Sequence, residues 1–153
     1  MVHVRTMVQE DIPSIAELEQ QLFSHPQSRA QIANMFGSSY YGLVVEESSR
    51  LCGYAIVSWG GGDADLLVIA LLQQYRGKGV STRLFNSLLD GLKRVDVERL
   101  FLEVRASNAS AIGFYRKVGF KEIGNRKNYY PSGKNVREDA LIFRIDISSH
   151  GNG

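Results

Sequence analysis

Cysteine is almost absent: Cys52 stands alone in a chain of 153 residues, so no disulfide can close within it. The three histidines, His3, His25 and His150, are scattered and match no metal-ligand spacing, and no metal is expected. A long apolar run is missing from the start. The opening MVHVRTMVQEDI reads as neither a signal peptide nor a membrane span. An excess of one charge is missing too, with 18 Lys and Arg against 16 Asp and Glu. A nucleic-acid binder usually shows a denser basic stripe, so neither nucleic acid nor membrane is expected as a direct partner. Repeats, linkers and low-complexity segments are lacking. Together these absences suit a reducing, cytoplasmic setting.

What is present is enough apolar matter, 44% of residues, to fill one core. One domain over residues 1–147 is expected, as a monomer or weak dimer, with a small polar tail, SSHGNG, fraying at 148–153. Residues 2–8 alternate and predict a first strand. Asp11, Ile12 and Pro13 open a helix whose apolar stripe is Ile15, Leu18 and Leu22. SHPQS breaks it, and Ser28 caps a short helix through Phe36. YYGLVVEE, LCGYAIVSW and DLLVIALL then read as an antiparallel meander, parted by the turns SSR and GGGDA. A glycine loop leads into a helix with Leu84, Leu88 and Leu92 on one face. RLFLEVR is a fifth strand and NASAIGFYRKV a helix. GFKEIGNRKNYY and EDALIFRID are two last strands joined by the turn PSGKN. The class is mixed α/β (α+β).

Three features carry chemistry. The first is Arg76-Gly77-Lys78-Gly79-Val80-Ser81, set between an apolar strand and an amphipathic helix. Glycines let successive N–H groups point at one spot, and the helix start adds unpaired donors and partial positive charge. A phosphate or pyrophosphate is the natural guest, although the spacing matches neither a P-loop nor the dinucleotide GxGxxG. An ordinary strand-to-helix turn with solvated Arg and Lys is the plainer reading. The second is Glu103, which shares a strand face with Phe101 and Arg105. Partial burial there would raise its pKa and suit it to general-base work, whereas a rim position would pair it with an arginine. The third is Asn108 with Tyr115, seven residues apart and so on one helical stripe. Asn108 sits in the first turn, able to cap the helix or reach a ligand's amide. A tyrosine such as Tyr115 in an amphipathic helix is more often core or rim than acid.

As a set these residues are informative. R-x-x-G-x-S before a helix, followed by Asn108, Ala111, Ile112, Tyr115, Gly119 and Phe120, resembles the GNAT superfamily of N-acetyltransferases. The likeness tightens in LEVRASNASAIGFY and NRKNYYP…REDALIF, and runs most closely from Leu66 to Ile147. It implies a central mixed, mostly antiparallel twisted sheet of about seven strands flanked by about four helices.

The resemblance also implies roles. Acetyl-CoA would be the cosubstrate, its pyrophosphate held by the amides of Arg76, Gly77, Lys78, Gly79, Val80 and Ser81. Its pantetheine arm would pair with Ile69, Ala70 and Leu71 and meet Asn108. Glu103 would be the general base and Tyr115 the general acid. Tyr129 and Tyr130 would clamp the acceptor, and Glu138 and Asp139 would attract a basic peptide. The acceptor implied is a protein N-terminal amine, that of alanine on a small-subunit ribosomal protein. A lysine side chain or small amine on the same scaffold, or a CoA-binding module without turnover, are the alternatives. Departures from the family pattern are Ser81 in the loop, Leu72-Gln73 after the fourth strand, a long PSGKNV turn, and Gln27 in place of an expected tryptophan. The last two touch the acceptor side.

Overall fold

The computed structural model describes residues 1–147, so the expected tail at 148–153, with His150, lies outside the described residues. The chain runs β1 (His3–Thr6), α1 (Ile12–Leu22), α2 (Arg29–Ala33), β2 (Tyr40–Glu47), β3 (Arg50–Gly60), β4 (Asp63–Leu71), α3 (Val80–Arg94), β5 (Arg99–Arg105), α4 (Ala109–Val118), β6 (Lys121–Pro131) and β7 (Arg137–Asp146). Single 3-10 turns at Gln9–Asp11 and Gln73–Tyr75 precede α1 and follow β4. No helix among the described residues is long and apolar enough to cross a membrane.

The seven strands form one sheet in the order β1-β2-β3-β4-β5-β7-β6. Every neighbouring pair is antiparallel except β4 with β5. Alternation along the strands splits the core into two layers. Ala55 and Val57 of β3 join Leu84, Phe85, Leu88 and Leu92 of α3 on one face. Tyr54 and Ile56 join Ile15 and Leu18 of α1 and Ile32 of α2 on the other. That second layer reaches only β2, β3 and β4, which leaves the corresponding face of β5, β7 and β6 open to solvent.

Most boundaries follow the expected ones, with reasons visible in the caps. Ser28 Oγ accepts from Gln31 N–H at 3.1 Å, and Gln31 Oε1 accepts from Ser28 N–H at 2.8 Å, closing a capping box on α2. That helix stops at Ala33 and not at Phe36. Its continuation tightens into i+3 bonds, Met35 N–H to Ile32 C=O and Phe36 N–H to Ala33 C=O.

One irregularity organises everything else. The β4–β5 ladder holds only Asp63, Ala64 and Asp65 against Arg99, Leu100 and Phe101, and then ends. Leu67 is an extra residue in β4 between Leu66, which pairs Val57, and Val68, which pairs Ile56. The bulge also switches faces: Leu66 lies in the α3 layer, yet beyond it Ala70 belongs to the α1 layer. Past the bulge β4 stays paired to β3 and β5 to β7, so the edges they turn toward each other are unpaired. The two strands part like a wedge.

Candidate active site

A cleft of about 520 Å³ lies on the α3 side of that wedge. Its floor is the free edge of β4 at Ile69, Ala70 and Leu71. One wall is the glycine loop. Gly77 and Gly79 adopt φ of +75° and +80°, and a Cβ added at either would meet nothing within 4 Å. The left-handed backbone there turns the loop without filling it. Gly79 caps α3, whose first internal bond is Arg83 N–H to Gly79 C=O at 3.1 Å. The amides of Val80, Ser81 and Thr82 therefore precede the helical ladder and are free for an anion.

Side chains in this loop behave less uniformly than expected. Arg76, Gly77, Gly79 and Ser81 line the cleft; Lys78 and Val80 do not. Val80 buries its side chain beside Leu84, which leaves only its N–H for a ligand. Arg76 turns Nε back to Leu71 C=O at 3.0 Å, fastening the loop to the end of β4. The changed entry at Leu72-Gln73 forms the 3-10 turn that makes this fastening possible.

The opposite wall is α4. Asn108 caps it, Oδ1 accepting from Ala111 N–H at 3.2 Å, and the residue also lines the cleft. Tyr115 packs edge-on against Phe114 and Phe120 at 5.8 and 5.6 Å between ring centroids, and tilted against Phe143 at 6.5 Å. Burial in that aromatic cluster pushes its phenol up to about 12. Tyr115 lines the cleft, and its hydroxyl has no hydrogen-bond partner among the described residues.

Glu103 stands elsewhere. Leu102 and Val104 enter the α3 layer, so Glu103 projects from the opposite face of β5, and it does not line the cleft. No helix covers that part of the sheet, and the Glu103 side chain keeps 31% of its accessible surface. Its Oε1 faces Arg126 Nη2 at 3.5 Å, the rim arrangement. Glu103 and Tyr115 thus flank the parted strands from opposite faces.

The β6–β7 hairpin borders Glu103. Tyr129 and Tyr130 meet edge-on at 5.0 Å, with Arg126 over the first ring at 5.2 Å and Arg105 over the second at 4.5 Å. The carboxylates of Glu138 and Asp139, the residues expected to attract a basic peptide, also brace the hairpin. Glu138 Oε1 accepts from Ser107 N–H at 3.0 Å, which keeps its carboxyl below the usual range, and Arg105 lies 3.5 Å from Oε2. Asp139 Oδ1 accepts from Asn128 N–H at 3.0 Å, where the backbone is left-handed at φ +53°. Arg137 ties the same bend by donating to the carbonyls of Asn128 and Tyr129, each at 2.7 Å.

Sequence reasoning passed over several cleft residues: Leu22 and Phe23 at the end of α1, Thr82, Ser110, Phe114 and Lys117. The i, i+4, i+7 spacing of Ser110, Phe114 and Lys117 was a usable signal. Leu22 and Phe23 gave none, since only the docking of α1 brings them there. That docking is fixed by Glu19, buried at 3% exposure, which accepts from Tyr54 O–H and from Gln27 N–H at 2.8 Å. Burial holds its carboxyl above the usual range. Cys52 is buried as well, donating weakly to Val45 C=O, and burial pushes its thiol up. No group of His, Cys, Asp or Glu able to hold a metal occurs among the described residues.

Comparison with known proteins agrees with this geometry. The model of the acetyltransferase (GNAT) family matches residues 9–120. The [ribosomal protein bS18]-alanine N-acetyltransferase of Escherichia coli K12 is 36% identical over 138 residues, 90% of this chain and 93% of that protein. The enzyme of that name from Haemophilus influenzae is 39% identical over 132 residues, 86% of this chain and 90% of its own length. The crystal structure of the ribosomal-protein-S18-alanine N-acetyltransferase from Escherichia coli superposes with a TM-score of 0.89 at 33% identity, covering 100% of this chain and 98% of that one.

Proposed function

The chain belongs to the acetyltransferase (GNAT) family, and on that premise we propose that it moves acetyl from acetyl-CoA to a protein N-terminal α-amine, the alanine of ribosomal protein bS18 being its natural acceptor. The observation that carries this reading is the parting of β4 from β5. It leaves the unpaired edge of β4 at the cleft and the Glu103 carboxylate on the opposite face of β5.

Acetyl-CoA supplies an activated thioester; the chain's own residues do the rest. The free edge of β4 at Ile69 to Leu71 suits the amides of the pantetheine arm, and the open loop with the α3 N-terminus suits the pyrophosphate. Main-chain N–H groups of β4 would polarise the carbonyl of a thioester laid along that edge.

Glu103 takes the proton of the acceptor, directly or through water. An α-amine has a pKa near 8, so roughly a tenth is neutral at pH 7, against well under ~0.1% for a lysine near 10.4. A solvated carboxylate is base enough for the first and poorly suited to the second. Tyr115 acts at the leaving sulfur. With its phenol near 12 against about 8.5 for a thiol, full proton transfer runs uphill by roughly 5 kcal/mol. Hydrogen-bond donation to the departing thiolate is therefore its role. Cys52, buried and facing a carbonyl, offers no nucleophile, so transfer is direct.

The test is incubation with acetyl-CoA and an alanine-initiated basic peptide, read by mass spectrometry. One acetyl group on the N-terminal amine is expected. Acetylation confined to internal lysines, or to a polyamine offered in competition, would reject the acceptor assignment.

A further inference from the structure

We propose that Tyr75 and Glu47 are positioning residues: the hydrogen bond between them holds the 76–81 loop in its open shape before any cofactor arrives. The inference rests on the cofactor reading above and concerns what keeps that site formed. Neither residue lines the cleft.

The chain is fastened where it enters the loop. Leu72 N–H donates to Cys52 C=O of β3 at 2.8 Å, and Arg76 Nε donates to Leu71 C=O at 3.0 Å. Tyr75 stands between them, half-buried against the α3 layer, and its O–H donates to Glu47 Oε1 at 2.7 Å. Glu47 is the last residue of β2, so this bond reaches past β3 to tie the loop entry to the strand beyond it. Beyond Arg76 the path runs through left-handed Gly77 and Gly79, with nothing within 4 Å of where a Cβ would stand. Glycines give such a segment many backbone states, and ordering them on binding costs affinity. A fixed entry lowers that cost.

The chemistry of the bond suits a permanent brace. Accepted by a carboxylate, it is stronger than a bond between neutral groups. Glu47 holds the Tyr75 phenol up to about 12, so the hydroxyl stays a donor at all ordinary pH. Tyr75 in turn, with the Met1 amine 3.1 Å from Oε2, keeps the Glu47 carboxyl below the usual range. A bare carboxylate near an anion site would oppose binding. This one has a donor on each oxygen, and its field also reaches Lys78, the loop cation outside the cleft lining.

Two measurements test this, one of them independent of any cofactor. Arg76 and Lys78 make the loop a trypsin site, and the free Tyr75→Phe protein, its ring packing kept, should be cut there about fivefold faster than wild type. Calorimetric titration of CoA should show about fivefold weaker binding in Tyr75→Phe and in Glu47→Ala, with no further loss when the two are combined. kcat at saturating acetyl-CoA should not change in Tyr75→Phe, which places the effect on the loop and not on the chemistry. Glu47→Gln, whose amide oxygen can still accept from the phenol, should keep most of the wild-type affinity. Additive losses in the double variant, or a Glu47→Gln as weak as Glu47→Ala, would show that Glu47 does not act through Tyr75 and would overturn the proposal. So would wild-type cutting and wild-type affinity in Tyr75→Phe. Faster cutting in Tyr75→Phe beside a wild type that binds no CoA would uphold the brace and strike the cofactor reading instead.

Discussion

The two sides of the β4–β5 wedge are built from different materials. On the α3 side the recognition surface is main chain: a strand edge, two left-handed glycines and the first turn of a helix. On the Glu103 side it is side chain, with Arg126, Arg105 and Arg137 set against Glu103, Glu138 and carbonyl oxygens around a pair of tyrosines. A main-chain site tolerates substitution wherever the backbone path survives, as Ser81 does. A side-chain site changes with each residue. One architecture can therefore keep one donor while its acceptors diverge.

The largest expected effect tests whether the two sides are separable. Glu103→Gln should lower kcat/KM for the acceptor peptide by about a hundredfold or more, within the range of general-base catalysis. Its Kd for CoA, measured by calorimetry, should stay within about twofold of wild type. A matching loss of CoA affinity would mean that the wedge transmits changes between its faces, and the division drawn above would fail.

Tyr115 comes next, because it belongs by packing to the cofactor side and by chemistry to both. Tyr115→Phe keeps the ring contacts and removes one hydrogen bond to a charged atom, worth about 1.5–3 kcal/mol. A fall of roughly tenfold or more in kcat with an unaltered KM for acetyl-CoA is expected. The pH profile sharpens the assignment. A phenol held up to about 12 keeps its proton at all ordinary pH, so it contributes no falling limb. The wild-type kcat/KM should rise as the acceptor amine loses its proton near pH 8 and then stay level through pH 10. A decline between pH 8 and 10 that vanishes in Tyr115→Phe would show the phenol titrating there.

The same contrast explains what was legible in the sequence. Strand alternation, the Asp11-Ile12-Pro13 start, the Ser28 cap and the glycine loop are local rules, and they located nearly every element within a few residues. The family pattern singled out Asn108 and Tyr115, and both line the cleft. Strand parity put Glu103 on the Phe101 face, but whether a helix covers that face is a tertiary fact, and none does. That Ser107 and Asn128 present N–H groups to Glu138 and Asp139 is a tertiary fact that nothing local reveals. The bulge at Leu67 lay inside a continuous apolar run with no turn residue to betray it. That insertion sets the faces of β4 and the parting of the strands, so the most consequential residue of the site had the weakest signal.

Glu19 gives the smallest effect and the most delicate test of the comparison, because it couples the α1 end to the sheet. Its carboxylate anchors the 23–28 loop through Gln27 and is itself anchored by Tyr54, while Leu22 and Phe23 line the cleft. Burial raises its folded-state pKa, so the native protein holds this proton to higher pH than the unfolded chain does. Both states are protonated below the ordinary carboxyl value near 4.3, and there the group favours folding most. As pH rises from that value through the raised one, the unfolded chain ionises first and stability is lost; above it the curve levels. Asp11 works the other way and lower down, since Arg5 holds its carboxyl below the ordinary range and its contribution fades only as pH falls there. Urea melts between about pH 4.5 and 7 should therefore show a wild-type stability that declines with rising pH, and a shallower slope in Glu19→Gln. An identical slope in the variant would leave the burial of Glu19 without thermodynamic consequence. A weakened CoA affinity in the same variant would be more instructive: the α1 end would then belong to both sides, and the division between a main-chain donor site and a side-chain acceptor site would stop at β4.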